Sequence, residues 1–352
     1  MKILIATGPF IIGGGQMMIK NLIKRLQDDE VYVVCFGERI ENSLSLQVES
    51  LCGERMFYVN GNHLQRYLKL GRIIRKLKPD VMHAHLSGNQ YIALWTLFHK
   101  GQFVSTMHTT PNRAYSVKTE KLIRRLLKRN KCTCVAVSEK NHQDSQEYFS
   151  CHDDRILFVN NGVETETYYC EEHKNTTFIN VATHNENKNQ KAIVHAFYRY
   201  QEEFPDSRLI LAGDGECHET LMALTSELGI EDKVDFPGSI TNPEKYYAVS
   251  DVYIQSSHRE GMPLSVLEAM SAKLPVISTN VGGMPDIIKA NGILVDDNDI
   301  DALYQAMKDI LSDTEKYKQM REESFLMAQK FSAAEMAKQY KGIYELRTLL
   351  WK

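Results

Sequence analysis

What this sequence lacks narrows its class before any motif is read. No apolar run approaches the roughly 20 residues that cross a bilayer, so any membrane contact is expected to be peripheral. The opening MKILIATGPF is too short for a signal-peptide core and no small-residue cleavage site follows it; it reads as the buried first strand of a cytoplasmic protein. Cysteine is sparse: seven residues, an odd number with no C-x-x-C pair, argue against a disulfide framework and a structural zinc site and for reduced core positions. The G-x-G-x-x-G spacing of a dinucleotide fold is missing, which counts against an NAD-dependent oxidoreductase. Low-complexity segments and short-period repeats are absent too, and no nucleic-acid partner is expected.

What is present suits two domains. The 352 residues exceed one ordinary domain, and 43% hydrophobic content is enough to bury real cores. The net charge of -3 hides an asymmetry: residues 1–165 carry 23 Lys+Arg against 15 Asp+Glu, and the remainder 19 against 30. The basic excess concentrates in Lys118-Thr-Glu-Lys-Leu-Ile-Arg-Arg-Leu-Leu-Lys-Arg-Asn-Lys131, where Leu122, Ile123, Leu126 and Leu127 fall at helical spacing among cations. Such a stretch fits an anionic membrane surface. It fits equally a solvated helix whose apolar stripe faces its own core.

Short β-rich runs alternate with helical patterns: KILIAT, a helix near 15–28, VYVVCF, helices near 63–77 and 89–99 around DVMHAH, then FVSTMH. That rhythm predicts a parallel sheet with crossover helices. A second series runs from FINVAT through helices at 189–203, 217–228 and 243–248, interleaved with RLILAG, VDFPG, DVYIQ and PVIST. The expected division is a Rossmann-like domain over 1–165, a second over 166–331 and a C-terminal helix, 332–352, packing back on the first. The polar stretch 164–175 reads as the linker.

In open parallel sheets, ligands bind beyond the carboxyl ends of the strands. Gly13-Gly14-Gly15 lies after the first strand and before a helix, where small residues admit a ligand close to the backbone. The most informative segment is Arg259-Glu260-Gly261-Met262-Pro263-Leu264-Ser265-Val266-Leu267-Glu268. Pro263 is suited to the first turn of a helix, so the Leu264 and Ser265 amides point from a helix N-terminus toward the oxygens of a diphosphate. Glu260 and Glu268 flank that anion site. A carboxylate so placed is electrostatically awkward unless it serves a function.

This segment resembles the E-x7-E signature of family 4 glycosyltransferases, the large retaining family with the GT-B fold. Gly13-Gly14, Val135-Ala-Val-Ser-Glu139, Asn160-Asn-Gly-Val163, Leu211-Ala-Gly-Asp-Gly215, Phe236-Pro-Gly238 and Val281-Gly-Gly-Met-Pro285 follow the family order over most of the chain. The resemblance implies two Rossmann-like domains facing across a cleft, and an EC 2.4 transferase moving sugar from a nucleotide-diphosphate sugar, preferably UDP-linked. The acceptor that the resemblance implies is a glycan or a lipid-linked glycan, as in bacterial surface polysaccharide synthesis. It implies that Glu260 contacts the donor sugar near the reacting face and Glu268 the ribose. His108 then lines the reaction cleft, with Gly13, Gly14, Lys188, Gly261, Met262, Leu264 and Ser265 on the donor. No covalent nucleophile is evident, so the resemblance implies a same-face route in which the leaving diphosphate helps deprotonate the acceptor.

One departure stands out: Thr183 occupies the position of the family arginine, leaving Lys188 and the helix dipole to hold the diphosphate, helped by a protonated His184 or another cation. His83, His85 and His108 suggest a metal triad, but no clear Asp-x-Asp donor motif is evident, and neither metal nor cofactor is expected. The run Asp296-Asp-Asn-Asp-Ile-Asp301 lacks the glycine and distal glutamate of a calcium loop and reads as the entry to a helix at 301–311. Rival readings are a nucleotide-sugar epimerase or hydrolase of the same fold and a non-catalytic sugar-nucleotide binding protein.

Overall fold

The computed structural model describes every residue except 12, 100–102, 153, 172 and 350–352, together with all side chains in that set but those of Arg347 and Leu349. It divides into two compact units, residues 1–162 with the helix that starts at Ala333, and Val163–Ser332. The end of the expected C-terminal helix, 350–352, lies outside the described residues.

In the first unit the chain runs β1 (Lys2–Thr7), α1 (Gly14–Arg25), β2 (Glu30–Cys35), α2 (Ser43–Cys52), β3 (Met56–Tyr58), α3 (His63–Leu77), β4 (Val81–His85), α4 (Gly88–Phe98) and β5 (Phe103–Met107). It continues through α5 (Pro111–Ala114), α6 (Val117–Lys128), β6 (Cys132–Ala136), α7 (Glu139–Phe149) and β7 (Ile156–Phe158). The second unit contains β8 (Thr177–Val181), α8 (Gln190–Glu203), β9 (Arg208–Ala212), α9 (His218–Glu227), β10 (Val234–Asp235), α10 (Pro243–Ala248) and β11 (Val252–Gln255). After these come α11 (Leu264–Ser271), β12 (Val276–Thr279), α12 (Met284–Ile287), β13 (Gly292–Val295), α13 (Ile300–Asp309) and α14 (Thr314–Gln329), and α15 (Ala333–Leu349) rejoins the first unit.

Both sheets are parallel, in the order β3-β2-β1-β4-β5-β6-β7 and β10-β9-β8-β11-β12-β13. Helices on both faces bury the strands from either side, which is why these strands read as near-continuous apolar runs. The strand order reverses between β1 and β4 and again between β8 and β11, and at such points the loops diverge to leave a crevice. At the first, Gly88 opens α4 so close to β1 that a Cβ there would lie 2.1 Å from the Ala6 carbonyl oxygen.

The core of the first unit gathers Leu4, Val34, Ile74, Trp95, Ile123 and Leu127 around one sheet face. Ile123, Leu126 and Leu127 of α6 are all buried there, so the apolar stripe of the basic helix is spent on its own unit. Helix α15 packs on α1, and its Tyr340 and Tyr344 are fully buried. All seven cysteines are free, five of them buried. Among the described residues no helix is long and apolar enough to cross a membrane.

Candidate active site

In the second unit, β8 and β11 end side by side and their following loops are stitched together. The His258 amide donates to the Asn187 carbonyl at 2.8 Å, Asn187 Nδ2 to the Arg259 carbonyl at 3.0 Å, and Ser256 Oγ to the Asn189 carbonyl at 2.7 Å. Gly282, after β12, closes over the result with φ +56°, and a Cβ on it would stand 1.8 Å from the Glu260 carbonyl oxygen. Only glycine fits so close a backbone crossing at that φ.

This framework brings Lys188 Nζ within 2.6 Å of Glu260 Oε1, with side chains 22% and 8% exposed. The lysine resolves the electrostatic difficulty of a carboxylate beside a helix start. Helix α11 begins one residue later than expected: Pro263 is its N-cap in an extended conformation and Leu264 its first helical residue. Proline has no N–H to lose at either position. The amides of Leu264, Ser265 and Val266 then have no intrahelical partner, and no side chain caps them. Gly261 keeps the approach open, since a Cβ there would meet nothing within 4 Å. Met262 and Leu264 are buried, while the Ser265 hydroxyl is within 2.9 Å of Tyr253 Oη.

Glu268 lies one turn along α11 and is buried. Tyr247 Oη donates to its carboxylate at 3.2 Å and to the Ser265 carbonyl at 3.1 Å. Burial and, next, the Glu268 charge hold the Tyr247 and Tyr168 hydroxyls well above the usual phenol range, so both remain protonated donors toward the carboxylate. Neither tyrosine carries a motif signature; only the fold brings them there.

Thr183 is exposed, and its carbonyl accepts from Gln190 Nε2. His184 does not supply the missing charge. It is fully buried, its Nδ1 pairs with His218 Nδ1 at 3.0 Å, and burial followed by the His218 ring lowers its pKa to about 4. That imidazole is neutral at physiological pH, so the expected protonated His184 is instead a buried, uncharged ring hydrogen-bonded to His218. Among the residues expected on the diphosphate, Lys188 is the cation.

In the first unit, Gly13 caps α1 and Gly14 is its first residue. A Cβ on Gly15 would sit 3.5 Å from Nδ1 of His108, the residue following β5. His108 Nε2 lies 3.0 Å from His85 Nδ1, at the end of β4. His83 is held on both nitrogens, Nδ1 by Tyr344 Oη at 2.6 Å and Nε2 by Thr106 Oγ1 at 2.8 Å. Burial lowers the pKa of His83 to about 3 and of His108 to about 4. The three histidines are thus engaged with one another and with hydroxyls, and among the described residues no three His, Cys, Asp or Glu form a group able to hold a metal ion. Leu86 follows at φ +47°, an uncommon backbone for leucine that clusters with functional loops.

The sequence profile of "Glycosyl transferases group 1" matches residues 170–327, and that of "Glycosyltransferase Family 4" residues 12–167. The chain belongs to this glycosyltransferase family. It is 33% identical over 145 residues to an uncharacterized glycosyltransferase of Haemophilus influenzae, an alignment spanning 40% of this chain and 41% of that one. Over 93% of this chain and 94% of the other it is 23% identical to the Campylobacter jejuni N-acetylgalactosamine-N,N'-diacetylbacillosaminyl-diphospho-undecaprenol 4-alpha-N-acetylgalactosaminyltransferase. In fold it is similar to Anabaena HepE in complex with UDP-glucose, with a TM-score of 0.84, 16% identity and 98% and 100% of the two chains covered.

Proposed function

We propose that this chain transfers a sugar, with retention of anomeric configuration, from a UDP-sugar to a glycan or lipid-linked acceptor in bacterial surface polysaccharide synthesis. The observation that carries the reading is the corner of the second unit where uncapped α11 amides, the Lys188–Glu260 pair and the buried Glu268 carboxylate converge. The Leu264 and Ser265 amides and Lys188 take the diphosphate oxygens, with Gly261 and Met262 shaping the approach, and Glu268 accepts from the ribose hydroxyls. As Lys188 turns toward the departing diphosphate, Glu260 gains negative character where the sugar develops positive charge, so its attraction grows at the transition state. The leaving diphosphate takes the acceptor proton on the same face. From the first unit, Gly13 and Gly14 serve the donor and His108 the reaction. The bound UDP-glucose of the Anabaena protein supports the choice of carrier, and the lipid-linked acceptor in the Campylobacter protein's name supports the acceptor class.

We propose that no divalent metal is required, because Lys188 and the helix dipole meet the diphosphate charge. The acceptor side is proposed to meet an anionic membrane surface through 118–131, by charge alone. Lys118, Lys121, Arg125 and Lys128 line the exposed face of α6, whereas Arg124 is tied to Glu120 at 2.7 Å and stacks over Tyr148. Incubation with UDP-, GDP- and ADP-sugars, with and without chelator, tests the reading. Transfer or slow hydrolysis of a UDP-sugar in chelator is expected. Binding without either favours a non-catalytic protein, and nicotinamide binding instead would overturn it.

A further inference from the structure

His85 and His108 share one hydrogen bond between Nδ1 and Nε2 at 3.0 Å, and which ring donates decides what His108 presents to a ligand. His85 is 0% exposed, and among the described residues its Nε2 has no hydrogen-bond partner. Were the His85 proton on Nε2, it would be an orphaned buried N–H, which folded proteins avoid, and His108 would have to donate from Nε2. With the proton on Nδ1, the N–H is used and the orphan is a bare lone pair. We propose that His85 is a positioning residue that donates from Nδ1 to His108 Nε2, so that His108 carries its own proton on Nδ1 and offers an N–H toward the Gly13–Gly15 loop.

The surroundings hold the pair in this state. The His83 ring packs against His85 with centroids 4.0 Å apart, itself anchored by Tyr344 of α15 and Thr106 of β5. The titratable groups facing the pair are His83 from β4 and, beyond it, Tyr340 and Tyr344 from α15, and no carboxylate contributes to the shift of His108. A neutral imidazole protonated on Nδ1 and occupied on Nε2 has no free lone pair. His108 is therefore a hydrogen-bond donor to an oxygen of the bound sugar or phosphate, and the acceptor proton leaves by another group. The inference rests on the proposed role of His108 in the reaction.

Imidazole nitrogen NMR on histidine-labelled protein without substrate reads the tautomer directly, with His108 assigned by the loss of its signals in His108→Ala. The expected result is Nδ1–H in the wild type and in His85→Asn, whose carboxamide N–H replaces that of Nδ1 and keeps kcat within about five-fold. His85→Asp, which only accepts, should switch His108 to Nε2–H and lower kcat about 100-fold at neutral pH. Its turnover should recover as pH falls, because protonating His108 restores the Nδ1–H; a merely structural residue would show no such profile. An Nε2–H tautomer in the wild type overturns the proposal whether or not His85→Asp folds. Full turnover in His108→Ala overturns instead the role of His108, and the tautomer result separates the two failures.

Discussion

Lys188 and Glu260, 72 residues apart in sequence, meet at 2.6 Å across the loops that follow β8 and β11. The pair divides the two glutamates of the E-x7-E segment into different environments. Glu260 has a counterion that a diphosphate can draw away, and Glu268 has tyrosine hydroxyls that stay where they are.

Different kinetic phenotypes should follow. Glu260→Ala is expected to lower kcat by about 100-fold or more with donor KM little changed, because its attraction grows only at the transition state. Glu268→Ala removes charged hydrogen bonds of about 1.5–3 kcal/mol and should raise the dissociation constant for UDP by roughly ten- to a hundred-fold. Initial rates against donor concentration and calorimetric titration with UDP measure both, and equal effects on both constants would contradict the division.

Gly282→Ala tests the backbone crossing above Glu260. The left-handed φ alone costs about 1–3 kcal/mol for a residue with a side chain, and the new Cβ must push the Glu260 carbonyl from 1.8 Å. Thermal melting should drop and turnover should fall at least about ten-fold. Gly261→Ala, which meets nothing within 4 Å, is the stability control and should melt like the wild type.

Acid should destabilise the protein through its neutral imidazoles. His83, His108 and His184 have pKa values lowered by burial to about 3, 4 and 4, so below the ordinary value of about 6.5 the unfolded chain takes up protons that the folded one refuses. Their stability contribution is complete above about pH 6.5 and is lost as pH falls toward 4, at roughly 1.4 kcal/mol per pH unit for each fully titrating group. A melting temperature flat from pH 7 to 4.5 would contradict neutral burial.

Lys118, Lys121, Arg125 and Lys128 are exposed on α6 and are the cations placed to meet an anionic surface. Reversing Lys118, Lys121, Arg125 and Lys128 to Glu should abolish sedimentation with anionic liposomes at low salt without affecting UDP binding, since each cation contributes about 1 kcal/mol near such a surface. Arg124 is left intact because it holds Glu120. A wild type that ignores anionic liposomes at low salt would point to a soluble acceptor.

The alternation of apolar runs with helical spacing made both parallel sheets and the site-bearing loops legible, because strands buried on both faces and the α11 start are local properties. Helix α2 was not: Leu44, Leu46 and Val48 alternate like a strand, and its cap depends on an Asn42–Ser45 exchange rather than the usual acid. Periodicity marked the apolar stripe of α6 but says nothing about what covers it; the core does. The His83-x-His85 spacing suggests a metal ligand, and only the register of β4 beside β5 and the docking of α15 show what His85 touches. A charge on His184 is the natural expectation from sequence, because its partner His218 lies 34 residues on and only the fold brings the two rings together.

The membership of α15 in the first unit constrains the order of events during synthesis. The ribosome completes β1 to β7 and then the whole second unit before Tyr340 and Tyr344 exist to cover His83 and Thr106. Domains usually fold as they emerge, N-terminal first. Here the second unit can close while the first still exposes the polar centre of its sheet, and the histidine row acquires its final partners only when residue 344 has cleared the exit tunnel.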